Sequence, residues 1–99
     1  MRLLVTNTAA PQAYTVMRAL RPYADILVAT VSGKRPLGVW PTCSAAYSRL
    51  VDRRYRVPSP ELDWHEGRVS PENTAREQAF IDAILDVCRR ERIDTIFPL

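Results

Sequence analysis

Four groups of residues in this chain have types and spacing that could do chemistry. The first is Thr6-Asn7-Thr8-Ala9-Ala10-Pro11-Gln12, where Asn7 and Thr8 carry hydrogen-bonding side chains just ahead of a helix start, a position that favours an anion. Asn7, Thr8, Ala9 and Ala10 are therefore the candidate substrate-binding residues. The competing reading is that Asn7 and Thr8 only satisfy turn and cap backbone groups. The second group is Asp63, His65 and Glu66 in a polar loop. Without a second histidine or a cysteine pair, these three read as solvated loop residues and not as metal ligands. The third is the two cysteines, Cys43 at a loop–helix junction and Cys88 on the apolar side of a helix, where a thiol is most simply a small core residue. The fourth is Arg53-Arg54-Tyr55-Arg56, which interleaves an aromatic with cations as nucleic-acid surfaces do. On a strand, Arg54 and Arg56 share one face and Tyr55 takes the other, the pattern of an edge strand guarded by charge. No catalytic residue and no metal ligand is assigned.

Several classes are excluded. A dinucleotide site needs glycines in the first loop so that backbone can approach the pyrophosphate, and Thr6 to Gln12 contains none. No carboxylate lies between Asp25 and Asp52 to clamp a ribose, and a Walker A loop is absent. The 99 residues, 46% of them hydrophobic, can bury one core, which rules out a disordered chain and fits one domain over residues 1–99. No apolar run approaches the roughly 18 residues of a membrane span. The start turns polar too soon for a signal peptide, so a cytoplasmic protein with reduced thiols is expected. The net charge of +3 is uneven: residues 1–50 hold six cations and one acid, Asp25, whereas residues 51–99 hold eight cations and ten acids. A basic half suits phosphate or carboxylate, although net charge specifies function weakly.

The elements that must position these residues follow from pattern. Arg2-Leu3-Leu4-Val5-Thr6 and Ile26-Leu27-Val28-Ala29-Thr30-Val31 are continuous apolar, β-prone runs, the signature of buried parallel strands. Between them, Ala9-Ala10-Pro11 is expected to open a helix whose face is Ala13, Val16, Met17 and Leu20, and Pro22 to stop it. Residues 44–51 suggest a short helix, Arg54 to Val57 a third strand, and residues 61–70 a loop. Ser70 and Pro71 suit the N-cap and first position of a last helix, with Glu72 complementing its dipole. Its expected apolar face is Phe80, Ile81, Ile84, Leu85 and Cys88, with Arg89, Arg90 and Arg92 at the C-terminal turn. Residues 94–99 read as a fourth strand. The sum is an α/β, three-layer, Rossmann-like open parallel sheet of about four strands in the order 3-2-1-4. Ligands in such folds sit at the carboxyl ends of the strands where the order reverses, here between strands 1 and 4. With no helix after the fourth strand, the chain end is expected to be the cut end of a longer protein.

Three stretches then carry a family resemblance: Leu3-Leu4-Val5-Thr6 with its small-residue turn, residues 47–60 from Tyr47-Ser48-Arg49 through Asp52 and Tyr55 to Val57-Pro58, and the final Phe80 to Asp94 helix leading into Thr95-Ile96-Phe97-Pro98. Together the chain resembles the N-terminal pre-ATP-grasp domain of ATP-grasp proteins, near the carbamoyl-phosphate-synthase-like carboxylate–amine ligases. The resemblance implies a parent ligase that uses Mg-ATP to activate a carboxylate as an acyl phosphate for attack by an amine. It implies that ATP and magnesium are held by a C-terminal ATP-grasp domain, with no cofactor on this chain and no catalysis by it alone. It also implies that Asn7 to Ala10 help hold the non-ATP substrate, although the chain departs from many relatives in having no glycine there. A homodimer through strand 4 or the crevice is expected if the covering domain is missing. The alternatives are a stand-alone small-anion-binding or regulatory module and, less favoured, a basic nucleic-acid-binding module. No membrane partner is expected.

Overall fold

The computed structural model describes residues 1–32, 45–58 and 71–99. Four strands, β1 (Arg2–Val5), β2 (Ile26–Ser32), β3 (Arg53–Val57) and β4 (Thr95–Phe97), form one sheet in the order β3-β2-β1-β4. All three pairings are parallel, with Leu4 opposite both Val28 and Ile96, and Thr30 opposite Tyr55. The α/β class, the parallel sheet and its order are those the sequence pattern implies.

The two central strands are buried on both faces, which is why they read as unbroken apolar runs. Leu3, Val5, Leu27 and Ala29 face one side and pack with Ala13 and Met17 of α1 (Ala13–Leu20) and with Ala46 and Val51. Leu4 and Val28 face the other and pack with Val57 and with Ile84 and Val87 of α2 (Pro71–Glu91). Each fully buried Leu or Val side chain contributes about 1.5–3 kcal/mol, so this pair of half-cores is the main stabilising element.

The element ends differ from the pattern in ways with local causes. Pro11 lies in the turn before α1, which begins only at Ala13; Gln12 occupies the cap position in αR geometry without a side-chain cap hydrogen bond. Helix α1 ends at Leu20, and Pro22 sits inside a 3-10 turn, Arg21–Tyr23, whose early positions need no N–H from proline. In the 44–51 region the described helical structure is a single 3-10 turn, Ala45–Tyr47. On α2 the inward stripe is Phe80, Ala83, Ile84, Val87 and Cys88, whereas Ile81 and Leu85 are flanking and exposed. At about 100° per residue, the second members of the Phe80-Ile81 and Ile84-Leu85 pairs rotate off the sheet-facing stripe. Ser70, the expected N-cap, and the side chain of Glu72 lie outside the described residues, as do Cys43, residues 61–70 and the Asp63, His65, Glu66 group.

Helix α2 stops through a left-handed residue. Arg92 has φ 51°, and the Ile93 N–H reaches back to the Cys88 carbonyl at 2.9 Å. This is a Schellman-type ending, with Ile93 and Cys88 in the same apolar cluster. It turns the chain so that Asp94 pairs with Arg2 through two backbone-anchored bonds of 3.0 Å and β4 lies beside β1. Strand β4 is an edge, paired only with β1 among the described residues, and Ile96 and Phe97 on it are 48% and 37% exposed.

Candidate functional site

The crevice expected at the switch point lies past the last β1–β4 pair, Val5 with Phe97. The Thr6 N–H bonds the Phe97 carbonyl at 3.2 Å, extending the pairing by one step. The Thr6 hydroxyl then accepts the Leu99 N–H at 3.3 Å, and the Asn7 side-chain amide donates to the Leu99 carbonyl at 3.4 Å. Asn7 itself is exposed and has φ 50°, the left-handed region in which asparagine is the best tolerated residue after glycine. That turn explains how a loop without glycine still reverses direction here.

The four candidate residues play different parts. Thr8 is fully buried, and both its hydroxyl and its N–H bond the Thr30 carbonyl, at 3.0 and 3.2 Å. Its own carbonyl accepts the Ala45 N–H at 3.1 Å, so Thr8 ties the loop to β2 and to the 3-10 turn. Ala10 is half-buried and donates its N–H to the Asn7 carbonyl at 3.0 Å. Ala9 is exposed. Of these four, Asn7 and Ala9 are therefore the ones exposed to solvent. Asn7 to Ala10 include no carboxylate for a magnesium ion, and each residue carries a Cβ where a phosphate cradle needs bare backbone. These residues do not fit Mg-ATP. Among the described residues no three His, Cys, Asp or Glu side chains are grouped to hold a metal ion.

Among the described residues, the densest polar cluster is at the opposite end of the sheet. Glu91, the last residue of α2, is only 5% exposed. Its carboxylate takes the Tyr55 hydroxyl, the Arg53 Nε at 3.1 Å and, more distantly, an Arg2 guanidinium nitrogen at 3.9 Å, while Arg2 Nε bonds the Glu91 carbonyl. The hydrogen bond to Glu91, with burial and the carboxylate charge, raises the Tyr55 phenol above its usual range. A second junction is Asp52. It accepts the Leu27 N–H at 2.8 Å and Arg21 at 2.6 Å, fastening the entry of β3 to β2 and to the turn after α1. Desolvation pushes its carboxyl up, but the Leu27 N–H and the Arg21 charge outweigh that and hold it below the usual carboxylate range. Both junctions bind elements together. Sequence spacing did not expose them, because their members are 25–89 residues apart. Cys88 is half-buried, and burial pushes its thiol up, away from the thiolate a nucleophile needs.

Compared with protein-family models, with curated proteins and with solved structures, the chain matches none. Among the described residues no helix is long and apolar enough to cross a membrane.

Proposed function

We propose that this chain is the N-terminal, substrate-side domain of an ATP-grasp ligase related to the carbamoyl-phosphate-synthase-like carboxylate–amine ligases. The supporting observation is the β3-β2-β1-β4 order: its switch point, where such folds bind ligands, falls at the carboxyl ends of β1 and β4, beside Asn7. In this reading the parent enzyme works in the cytoplasm. It transfers a phosphoryl group from Mg-ATP to a carboxylate, and an amine displaces phosphate from the acyl phosphate. ATP and magnesium belong to the companion C-terminal domain. Asn7 supplies a hydrogen bond to the carboxylate substrate, and the exposed Ile96 and Phe97 edge receives the companion domain or, in its absence, a second copy.

The test is calorimetric and spectroscopic titration of this chain alone. Small carboxylates are expected to shift the amide signals of Asn7 to Ala10 and Leu99 weakly, and Mg-ATP not to bind in the micromolar range. Robust micromolar binding of ATP by this chain alone overturns the substrate-side reading and favours a stand-alone anion-binding module. Salt-sensitive retention on DNA or RNA favours the nucleic-acid module instead.

A further inference from the structure

A pocket of about 220 Å³ lies on the sheet edge opposite β4, lined by Val31, Ala46, Tyr47, Arg54, Tyr55 and Arg56. It shares no residue with the Asn7–Ala10 loop. Its lining combines two apolar residues, two tyrosines and two cations. Arg54 and Arg56 project from the same face of β3, about 7 Å apart by strand geometry. Arg54 is pre-set: its Nε donates to the Ala46 carbonyl at 2.7 Å, and its guanidinium lies 5.7 Å from the centre of the Tyr47 ring. That bond engages Nε, and the guanidinium carries four further N–H donors on its terminal nitrogens. Arg56 is exposed, and among the described residues neither Arg54 nor Arg56 pairs with a carboxylate.

This differs from Arg53 on the other face of the same strand, which is committed to Glu91. Edge protection alone needs only solvated charge. It does not call for a guanidinium anchored by a backbone carbonyl and stacked beside a half-exposed tyrosine. We propose that this pocket binds a small phosphate monoester carrying a flat ring. The Arg54 and Arg56 guanidinium groups would take the phosphate oxygens, since their planar donor forks match them, and the ring would lie along Tyr47. The volume is below the roughly 300–1,000 Å³ of sites that enclose drug-sized ligands, so a single phosphorylated ring suits it better than a dinucleotide.

The experiment follows amide signals of the isotope-labelled chain during titration with inorganic phosphate, phenyl phosphate, adenosine 5′-monophosphate and a short single-stranded oligonucleotide. Phenyl phosphate is expected to saturate in the millimolar range, with shifts centred on Val31, Ala46, Tyr47 and Arg54 to Arg56. Arg56→Gln, an exposed change that leaves the core untouched, is expected to weaken inorganic phosphate and both monoesters about three- to tenfold. Tyr47→Ala should weaken phenyl phosphate and the nucleotide while leaving inorganic phosphate unchanged. Non-saturating shifts, shifts spread over other faces, or an unaltered affinity in Arg56→Gln overturn the proposal. Tighter binding of the oligonucleotide than of either monoester overturns it in favour of a nucleic-acid surface. None of these outcomes depends on whether carboxylates reach Asn7.

Discussion

Replacing Glu91 with alanine is expected to destabilise the protein by about 2–3 kcal/mol, and the figure follows from the cluster's geometry. The Tyr55 hydroxyl bonds a carboxylate that is 5% exposed at the residue level, and a hydrogen bond to a charged group in such a place contributes about 1.5–3 kcal/mol. Arg53 sits 3.1 Å from the same carboxylate but is 59% exposed, so solvent reduces that pair to about 0.2–1 kcal/mol. Arg2, at 3.9 Å, adds little, and its bond to the Glu91 backbone carbonyl survives the substitution. Regained hydration of Arg53 and Tyr55 partly offsets the loss. In a domain of this size the result is a fall in Tm of roughly 10–20 °C, measured by thermal unfolding followed by circular dichroism. Tyr55→Phe, alone and combined with Glu91→Ala, completes a double-mutant cycle with an expected coupling of about 1 kcal/mol or more. A Tm change below about 3 °C, or strictly additive single effects, refutes the view that Glu91 locks the end of α2 to β1 and β3.

Two further outcomes follow from the same reasoning. Asp52 has a depressed carboxyl pKa, so its contribution to stability is present above the ordinary carboxylate range near pH 4 and is lost as pH falls through the lowered folded value. Asp52→Asn should therefore lower the urea midpoint at pH 7, and its deficit relative to wild type should shrink below about pH 4; a constant deficit across pH refutes the assignment. Thr8→Val keeps the buried shape but removes the hydroxyl bond to Thr30, and should cost about 0.5–1.5 kcal/mol in urea unfolding without altering carboxylate binding at the crevice. Loss of that binding in a folded Thr8→Val protein would make Thr8 a ligand contact and not a structural tie.

The crevice loop shows how far the sequence could be read. Its location followed from strand order, and strand order followed from local pattern. Which of its residues face a ligand did not. Asn7 and Thr8 are adjacent and both polar, yet one is exposed and left-handed while the other is fully buried against Thr30. The difference lies in a backbone reversal after Thr6 and in a partner 22 residues away, neither of which residue type reveals. The α2 helix teaches the same point: five apolar residues at helical spacing looked like one face, but the strands contact a stripe rotated toward Ala83 and Val87, which leaves Ile81 and Leu85 exposed.

By itself, the sequence determined the elements that depend on neighbours along the chain: two apolar runs long enough for buried strands, an amphipathic α1, a proline-led α2 and the alternation that yields a parallel sheet. It also determined what the first loop cannot be, because no packing supplies missing glycines or carboxylates. Tertiary structure alone decided the Glu91 junction, the Asp52 clamp, the inward Thr8, and the pairing of Arg54 with Ala46 and Tyr47. Most of these contacts join residues brought together only when the sheet closes over distances of 22 to 89 positions. Even the short-range Arg54–Ala46 bond needs the turn before β3 to fold back onto the strand. Their energies arise from desolvation and geometry in the folded state, quantities that the order of residue types does not contain.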